Sequence, residues 1–343
     1  MLKQSKKVIW VLQGIHPGDN AQARALASRI DGEVICKDLK FNRLYRLPNL
    51  VLGASTLSLN AISRQGLLPP WPDLVIATGK RSVPAARWIK RQARGQTRIV
   101  QLGRPCAPLS AFDLVITTPQ YGLPSAANVI EVPLPFVMPR KEDLTEQEFW
   151  RAKWAGLRRP LIAVAIGNAK PPLMMGQRET RLLGRQLNQL AEQMKGSLLL
   201  IASPRTAPGV VAQIAAELSA PHISYANFDR NMNPYQAALA NCERYVVTSD
   251  SVSMISELIN TGKPVDVFEL PTAKFRRKWK GKSGVAAWLS RNGIVQPPRD
   301  VAGLARILIE EGYVGVLGGQ TERVPVNRNE KDIIDRLNLL LNA

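Results

Sequence analysis

The chain has 343 residues, of which 45% are hydrophobic and 21% charged, and its formal net charge is +19. A chain of this length usually divides its core between two domains, and its ordinary apolar content excludes extensive disorder. Such a basic surface attracts phosphates, nucleic acid or an anionic membrane. We therefore expect a globular protein with an anionic partner.

The N-terminal apolar run, residues 8–12, stops before Gly14. It is too short for a signal-peptide core or a membrane-spanning helix, so we interpret it as a first strand. The three cysteines lack the spacing of a zinc site or a disulfide framework, which fits a reducing compartment. We expect a cytoplasmic protein, with peripheral association at the inner membrane as a further hypothesis.

Short β-branched runs alternate with amphipathic ones in the first half, a pattern that predicts parallel strands joined by helices. The predicted strands are 8–12, 74–77, 98–101 and 114–117, and the predicted helices are 21–30 and 83–94. Residues 118–140 contain five prolines and are predicted to be a connection without regular structure.

The same rhythm restarts in the second half. The predicted strands are 161–166, 197–202, 222–225, 244–248 and 265–268, and the predicted helices are 146–155, 179–194, 210–218, 235–239, 251–260 and 332–341. The sequence thus predicts an α/β fold with two Rossmann-like doubly wound domains facing a cleft, where ligands of such folds bind. We place the domains at residues 1–140 and 141–325, followed by a closing helix at 326–343.

A strand, a polar turn and a helix follow one another in residues 244–260. Ser249, Asp250 and Ser251 lie at the turn, where they can cap the helix and where its N–H groups can face an anionic ligand. Ser253 and Glu257 are spaced to share one helix face, and a carboxylate there can accept hydrogen bonds from two vicinal hydroxyls. The alternative is a helix capped by Ser249 or Asp250 with a solvated Glu257.

Several motifs resemble the nucleotide-sugar-binding region of GT-B glycosyltransferases and, in detail, the family of the plant mitochondrial fission factor "elongated mitochondria" and its bacterial relatives. The carrying segments are 18–22, 77–81, 101–105, 233–235, 248–257 and 261–264. The resemblance implies a GT-B-like architecture with an acceptor-side N-terminal domain and a donor-side C-terminal domain. It also implies a scaffold alternative, because plant members are linked to recruiting a dynamin-type GTPase to mitochondria.

The resemblance places Glu257 at the donor ribose, Ser251 and Ser253 near its phosphates or base, and Arg205 as a diphosphate clamp. A solvent-facing Arg205 is the alternative. The full set of predicted donor-binding residues is Gly18, Asn20, Gly167, Arg205, Asn233, Pro234, Tyr235, Ser249, Asp250, Ser251, Ser253, Met254 and Glu257.

The loop of residues 14–20 follows the first predicted strand, where GT-B enzymes place a turn against donor phosphates or the acceptor. His16 and Asp19 are our candidates for the general base that takes the acceptor proton. The alternative is that Asp19 or Asn20 caps a helix beginning at Ala21, with His16 an ordinary loop residue. The turn at 167–172 departs from the GT-B pattern, since Pro171 and Pro172 remove two N–H donors.

Two basic segments, 37–46 and 274–282, interleave cations with aromatic rings, a composition that suits an anionic membrane interface. The alternative is a solvated basic face with its aromatics in the core. No recognition-helix, RNA-binding or zinc signature accompanies the charge, so nucleic acid ranks third.

The sequence therefore predicts a glycosyltransferase that uses a nucleotide-sugar donor and a lipid-linked or envelope acceptor at the cytoplasmic membrane face. We expect no metal and no cofactor, since no Asp-x-Asp or clustered His/Cys set is present. The alternative is a non-catalytic, membrane-associated scaffold that retains the fold.

Overall fold

The chain forms two parallel sheets, each within its own unit. The computed structural model describes residues 6–138, 144–226, 234–272, 284–319 and 330–342. The described residues of the first unit lie within Met1–Pro139, Lys278–Asp300 and Arg328–Ala343, and those of the second lie within Arg140–Arg277 and Val301–Asn327. Residues 284–300, which we had predicted in the second domain, thus cluster with the first.

The first unit has a six-stranded sheet of order β2-β1-β3-β4-β5-β6 with every neighbour parallel. Its elements are β1 (Val8–Gln13), α1 (Pro17–Ala27), β2 (Glu33–Asp38), α2 (Asn49–Leu52), α3 (Ala61–Gln65), β3 (Leu74–Thr78), α4 (Val83–Gln92), β4 (Arg98–Leu102), β5 (Leu114–Thr117) and β6 (Val129–Glu131), with α10 (Gly284–Arg291) and α12 (Glu330–Asn342) from later in the chain.

The second unit has a six-stranded parallel sheet of order β12-β11-β10-β7-β8-β9. Its elements are α5 (Leu144–Trp154), β7 (Leu161–Ile166), α6 (Gln177–Met194), β8 (Ser197–Ala202), α7 (Val210–Ala215), β9 (His222–Tyr225), α8 (Pro234–Asn241), β10 (Arg244–Thr248), α9 (Val252–Ile259), β11 (Val265–Phe268), α11 (Val301–Glu310) and β12 (Gly315–Val316). The two doubly wound α/β units confirm the predicted fold class.

Alternating side chains of β1 enter two different cores. Ile9 and Val11 pack with α1 and with Leu337 of α12, whereas Trp10 and Leu12 pack with α4 on the other face of the sheet. Both faces are therefore covered, and central strands such as β3 and β7 can be buried along their whole length. Each fully buried Leu or Ile contributes about 1.5–3 kcal/mol relative to an exposed one.

Two predictions about local structure were wrong. The proline-rich stretch 118–140 contains the strand β6, which pairs with β5 at the sheet edge, and edge strands tolerate flanking prolines. The first helix begins at Pro17 instead of Ala21, since proline is suited to the first helical position. Gly18, Asp19 and Asn20 therefore lie inside the first turn of α1.

Candidate functional site

The strand orders define one candidate site in each unit. In the first sheet, β1 lies between β2 and β3, and in the second, β7 lies between β8 and β10. At these points successive strands depart in opposite directions, and doubly wound sheets bind ligands there, at the carboxyl ends of the strands. We call the residues around the ends of β1, β3 and β4 the first-unit site, and those around the ends of β7, β8 and β10, with α8 and α9, the second-unit site.

Gly167 and Asp250 form the centre of the second-unit site. The Gly167 N–H donates to Thr248 Oγ1 at 2.8 Å, and a Cβ on Gly167 would overlap the Asp250 carboxylate. Asp250 Oδ1 is buried without a hydrogen-bond partner among the described residues. Burial raises the pKa of the Asp250 carboxyl, and hydrogen bonds from Thr248 and the backbone, with the charge of Arg205, oppose the shift. The carboxylate thus occupies the space directly above Gly167.

Arg205 is exposed in the loop that follows β8. This loop is fixed because Thr206 Oγ1 donates to the Ile166 carbonyl at 2.6 Å and accepts from Ser203 N–H at 2.7 Å. The backbone that carries Arg205 is therefore tied to the carboxyl end of β7. The structure brings Arg205 and Asp250 to one edge of the sheet, where a guanidinium can meet an incoming phosphate.

The Tyr235 hydroxyl and the Glu257 carboxyl interact with each other between α8 and α9. Burial raises the pKa of the Glu257 carboxyl, and the hydrogen bond from Tyr235 opposes that shift. Burial and the Glu257 carboxylate raise the pKa of Tyr235 well above its ordinary value. The Tyr235 hydroxyl therefore stays protonated, with its O–H available to the carboxylate. This hydroxyl faces Glu257, whose carboxylate retains further acceptor capacity. Pro234 starts α8 and is buried, whereas Asn233 lies outside the described residues.

The serines near β10 have different roles. The Ser249 hydroxyl accepts from the Leu270 N–H at 3.0 Å, and Ser249 is 2% exposed, so this contact ties β10 to the segment after β11. Ser251 is the N-cap of α9 and makes no side-chain cap hydrogen bond, so the expected cap by Ser249 or Asp250 was wrong. Ser253 is exposed and Met254 half-buried in the first turn of α9.

In the first-unit site, Asn20 is already engaged. Its Oδ1 accepts from the Gly14 N–H and its Nδ2 donates to the Gly14 carbonyl, both at 2.8 Å. These two hydrogen bonds to the backbone of one residue fix the turn between β1 and α1. The N-cap of α1 is His16, without a side-chain cap hydrogen bond, so the expected cap by Asp19 or Asn20 was also wrong. Gly18 is exposed in the first turn.

Asp19 is half-buried at the point between β1 and β3. A Cβ on Gly79, which follows β3 and has a φ of +59°, would lie 3.5 Å from Asp19 Oδ2, so the carboxylate reaches across to the end of β3. Burial raises the pKa of the Asp19 carboxyl above its ordinary value, and the charges of His16 and Arg299 oppose the shift. A carboxylate with a raised pKa at this position is suited to accept a proton.

His16 is exposed beside Arg81. Its Nε2 lies 3.5 Å from Arg81 Nη1, and the Arg81 guanidinium lies 4.6 Å from the centroid of the Tyr45 ring. A guanidinium only donates hydrogen bonds, so this contact makes Nε2 the acceptor and competes with its use as a base. Of the two predicted bases, the geometry favours Asp19.

Sequence reasoning did not assign roles to Arg104, Tyr121 and Arg299, which also lie at the first-unit site. Arg104 follows β4 within a segment that carried the family resemblance. Arg299 reaches the site from a distant part of the chain, since its Nε donates to Gln120 Oε1 at 2.6 Å across 179 positions. No local signal in the sequence could have placed Arg299 there.

Two general findings concern the described part of the chain. Its His, Cys, Asp and Glu side chains form no group of three or more that could hold a metal ion. Nor does any helix among the described residues combine the length and the apolar content that a bilayer span requires. The expectation of metal-independent chemistry stays a prediction.

Comparison with known proteins identifies a family. The model of the family described as "Mitochondrial fission ELM1" matches residues 17–309. The chain is 30% identical over 250 residues to the mitochondrial fission protein ELM1 of Arabidopsis thaliana, covering 66% of this chain and 58% of the plant protein. It is 24% identical over 305 residues to an uncharacterized protein of Rickettsia prowazekii (strain Madrid E), covering 77% of this chain and 83% of that protein. The chain thus spans less than two thirds of the plant relative.

A solved structure shares the fold. A putative UDP-N-acetylglucosamine 2-epimerase from Listeria monocytogenes superposes with a TM-score of 0.51 at 12% identity, covering 99% of this chain and 89% of that one. At such low identity the likeness shows the fold alone, and it agrees with the GT-B-like architecture predicted from the sequence.

Proposed function

The chain belongs to the mitochondrial fission ELM1 family, and we propose that it is a glycosyltransferase with a nucleotide-sugar donor and a lipid-linked or envelope acceptor. The observation that carries this proposal is the Tyr235–Glu257 pair, in which the half-buried carboxylate on α9 interacts with the tyrosine hydroxyl on α8. Such a carboxylate accepts hydrogen bonds from the vicinal hydroxyls of a ribose.

The donor phosphates have a separate set of partners in the second unit. Arg205 supplies a guanidinium fork, which matches the geometry of phosphate oxygens. The first N–H groups of α9, where Ser251 makes no side-chain cap, point in the direction that favours an anion. Together they would stabilise the nucleoside diphosphate as the glycosidic bond to the donor breaks.

The acceptor chemistry belongs to the first unit. In a direct displacement, the acceptor hydroxyl oxygen forms a bond to the anomeric carbon while the bond from that carbon to the diphosphate breaks. The hydroxyl proton passes to Asp19, and the electron pair leaves with the nucleoside diphosphate. A base of this kind typically contributes about 10²–10⁴-fold to the rate.

A cluster of exposed apolar side chains supports the membrane part of the proposal. It comprises Leu44, Leu47, Leu50, Val51, Leu57, Ile62 and Leu68, of which Leu50 is 69% and Ile62 is 70% exposed. Arg43, Arg46 and Arg64 are exposed in the same stretch. Large apolar side chains mixed with cations fit the interface of an anionic bilayer. The second basic segment, 274–282, lies outside the described residues.

This apolar cluster is tied to the first-unit site. Asn49 of α2 donates to the carbonyls of Lys80 at 2.8 Å and Pro105 at 3.0 Å, in the loops that carry Arg81 and Arg104. A bilayer bound at residues 43–68 would therefore present its lipids close to Asp19.

A non-catalytic scaffold is the second candidate, and one observation favours it. The Gly167 N–H is already used by Thr248, and the Asp250 carboxylate occupies the position where a phosphate would meet that amide. If no donor binds, the fold would serve as an interaction module, in keeping with the fission role in the name of the plant relative.

Calorimetric titration of the purified protein with UDP-, GDP-, ADP- and CMP-sugars separates the two. We expect saturable binding of one donor class, weakened by about 1–3 kcal/mol in Glu257→Ala because the hydrogen bonds to the carboxylate are lost. Glu310→Ala, which removes an exposed carboxylate of α11 in the same unit, is the matched control. Silence across the panel from a folded protein would support the scaffold instead.

A further inference from the structure

Three arginines of the first-unit site lack carboxylate partners. Arg81 follows β3, Arg104 follows β4, and Arg299 contacts Gln120 just after β5. None of the three forms an ion pair with a carboxylate among the described residues, whereas Arg98, Arg159 and Arg244 each do. The hydrogen bonds of Arg104 and Arg299 go to neutral partners, the Pro297 carbonyl and the Gln120 amide oxygen.

Those neutral partners hold two of the guanidiniums around one ring. Arg104 donates to the Pro297 carbonyl and lies 5.8 Å from the Tyr121 ring centroid, and Arg299 lies 5.6 Å from the same centroid. A guanidinium stacked on a ring keeps its N–H groups directed outward, available for a planar oxyanion. Tyr121 is therefore a platform for two cations.

The third guanidinium extends the same positive region. Arg81 lies against Tyr45 and His16, and its Nε is buried without a hydrogen-bond partner among the described residues. A buried donor that is left unpaired is unfavourable, and a bound acceptor atom would remove that cost. His16, which lies beside Arg81, and Arg299 both act electrostatically on the Asp19 carboxylate, so the three arginines belong to the surroundings of one carboxylate and one ring.

We propose that Arg81, Arg104 and Arg299 bind a phosphate or diphosphate group of the acceptor beside Asp19. This assignment rests on the proposed transferase function and specifies its acceptor, which would carry phosphate close to the hydroxyl that reacts. Three forks match the charge and the oxygens of a phosphate better than a single carboxylate would. Asp19 remains the proton acceptor, and the arginines fix the hydroxyl against it.

The phosphate could come from a lipid carrier or from a water-soluble phosphorylated sugar. Calorimetry with inorganic pyrophosphate and with farnesyl diphosphate below its micelle concentration distinguishes these sources. Both titrations use the full chain carrying Arg205→Gln, so that phosphate binding in the second unit is suppressed. Tighter binding of farnesyl diphosphate assigns the site to a lipid-linked acceptor, and equal binding assigns it to a soluble one.

In that background we expect Arg104→Gln and Arg299→Gln each to lower pyrophosphate affinity about 10-fold or more, since each loses a charge-assisted hydrogen bond. Arg91→Gln, an exposed arginine of α4, is the matched control and should change affinity less than about twofold, as expected for a distant screened charge. Arg104→Lys keeps the positive charge and loses the forked donor geometry of the guanidinium. Thermal unfolding verifies that each variant is folded.

Equal losses of pyrophosphate affinity in Arg104→Gln, Arg299→Gln and Arg91→Gln would show that the anion is attracted to the basic surface in general, which would overturn the site. Unchanged affinity in Arg104→Gln and Arg299→Gln would also overturn it. The donor titration is independent of this result. If donors fail to bind but pyrophosphate binding still depends on Arg104 and Arg299, the transferase proposal fails while the anion site stands.

Discussion

The carboxyl edges of the two sheets differ in charge although both sheets are doubly wound. Among the described residues, the first-unit site places Arg81, Arg104 and Arg299 near the carboxylate of Asp19. In the described part of the second-unit site, the carboxylates of Asp250 and Glu257 lie with the guanidinium of Arg205. The fold therefore fixes where ligands bind, and the side chains at the strand ends determine which chemistry they meet.

This difference assigns different tasks to the two units. A carboxylate with a raised pKa among guanidiniums suits proton transfer from a phosphate-bearing acceptor, whereas an oriented carboxylate suits sugar hydroxyls. If both sites bound the same ligand, variants in either unit would show the same ligand selectivity. Variants that change one site should leave ligand binding at the other site unaltered.

Asp19→Asn should have the largest effect. An amide of the same shape cannot accept the acceptor proton, so we expect the transfer rate to fall about 10²–10⁴-fold while donor affinity is unchanged. In the wild type, the rate should fall as pH drops through a pKa above the ordinary aspartate value of about 3.9, because burial raises it. If the Asp19→Asn variant kept this fall in rate at low pH, Asp19 would be excluded as the base. The pH–rate profile of His16→Gln would then show whether His16 causes the fall.

Gly167→Ala should disrupt the second-unit site and leave the first intact. The new Cβ would overlap the Asp250 carboxylate, which must move, and we expect a loss of about 1–3 kcal/mol in the free energy of unfolding, typical of overpacking. Gly156→Ala is the matched control in the same unit, since a Cβ there meets nothing within 4 Å. Urea titration measures the free energy of unfolding of both variants. Equal values would contradict the close approach of the Asp250 carboxylate to Gly167.

Sequence reasoning predicted the second sheet well because its strands are short, continuous apolar runs. The predicted bounds of β7, β8, β9, β10 and β11 are confirmed. It missed three edge strands: β2, whose side chains are mostly exposed, β6, whose flanking prolines resembled a connection, and the two-residue β12 of the second sheet. Edge strands carry little apolar signal, so their pairing is decided by the neighbouring strand.

The candidate sites were predicted only where the residues lie close together in sequence. Asp250 and Glu257 follow one strand, so a local pattern could indicate them. Tyr235 was predicted only as part of a resemblance motif and without a partner, because its interaction with Glu257 depends on how the chain folds between α8 and α9. Arg299 depends on residues 284–300 clustering with the first unit, which no local periodicity encodes.

Tyr235→Phe should weaken donor binding moderately and leave acceptor phosphate binding unchanged. Without the hydroxyl, Glu257 loses orientation, and we expect donor affinity to fall by about 1 kcal/mol, roughly fivefold. The lost bond also raises the pKa of Glu257, so donor binding should weaken at a higher pH in the variant than in the wild type. Donor titrations at several pH values test this prediction, with Tyr313→Phe as the control. If donor binding weakened at the same pH in Tyr235→Phe and in the wild type, the role of the Tyr235–Glu257 pair would be contradicted.

The smallest effect is expected from single cations around the apolar cluster of residues 43–68. Arg43→Gln should lower binding to vesicles of phosphatidylglycerol and phosphatidylcholine by up to about 1 kcal/mol, since each cation near an anionic surface contributes about that much. Arg178→Gln removes an exposed arginine of α6 in the second unit and should leave vesicle binding unchanged if the membrane contacts the first unit alone. Vesicle cosedimentation measures both variants, and the Arg43 effect should shrink at high salt because the charges are screened. Equal losses in the two variants would mean that the bilayer attracts the whole basic surface, and the functional difference between the units would then be confined to their ligand sites.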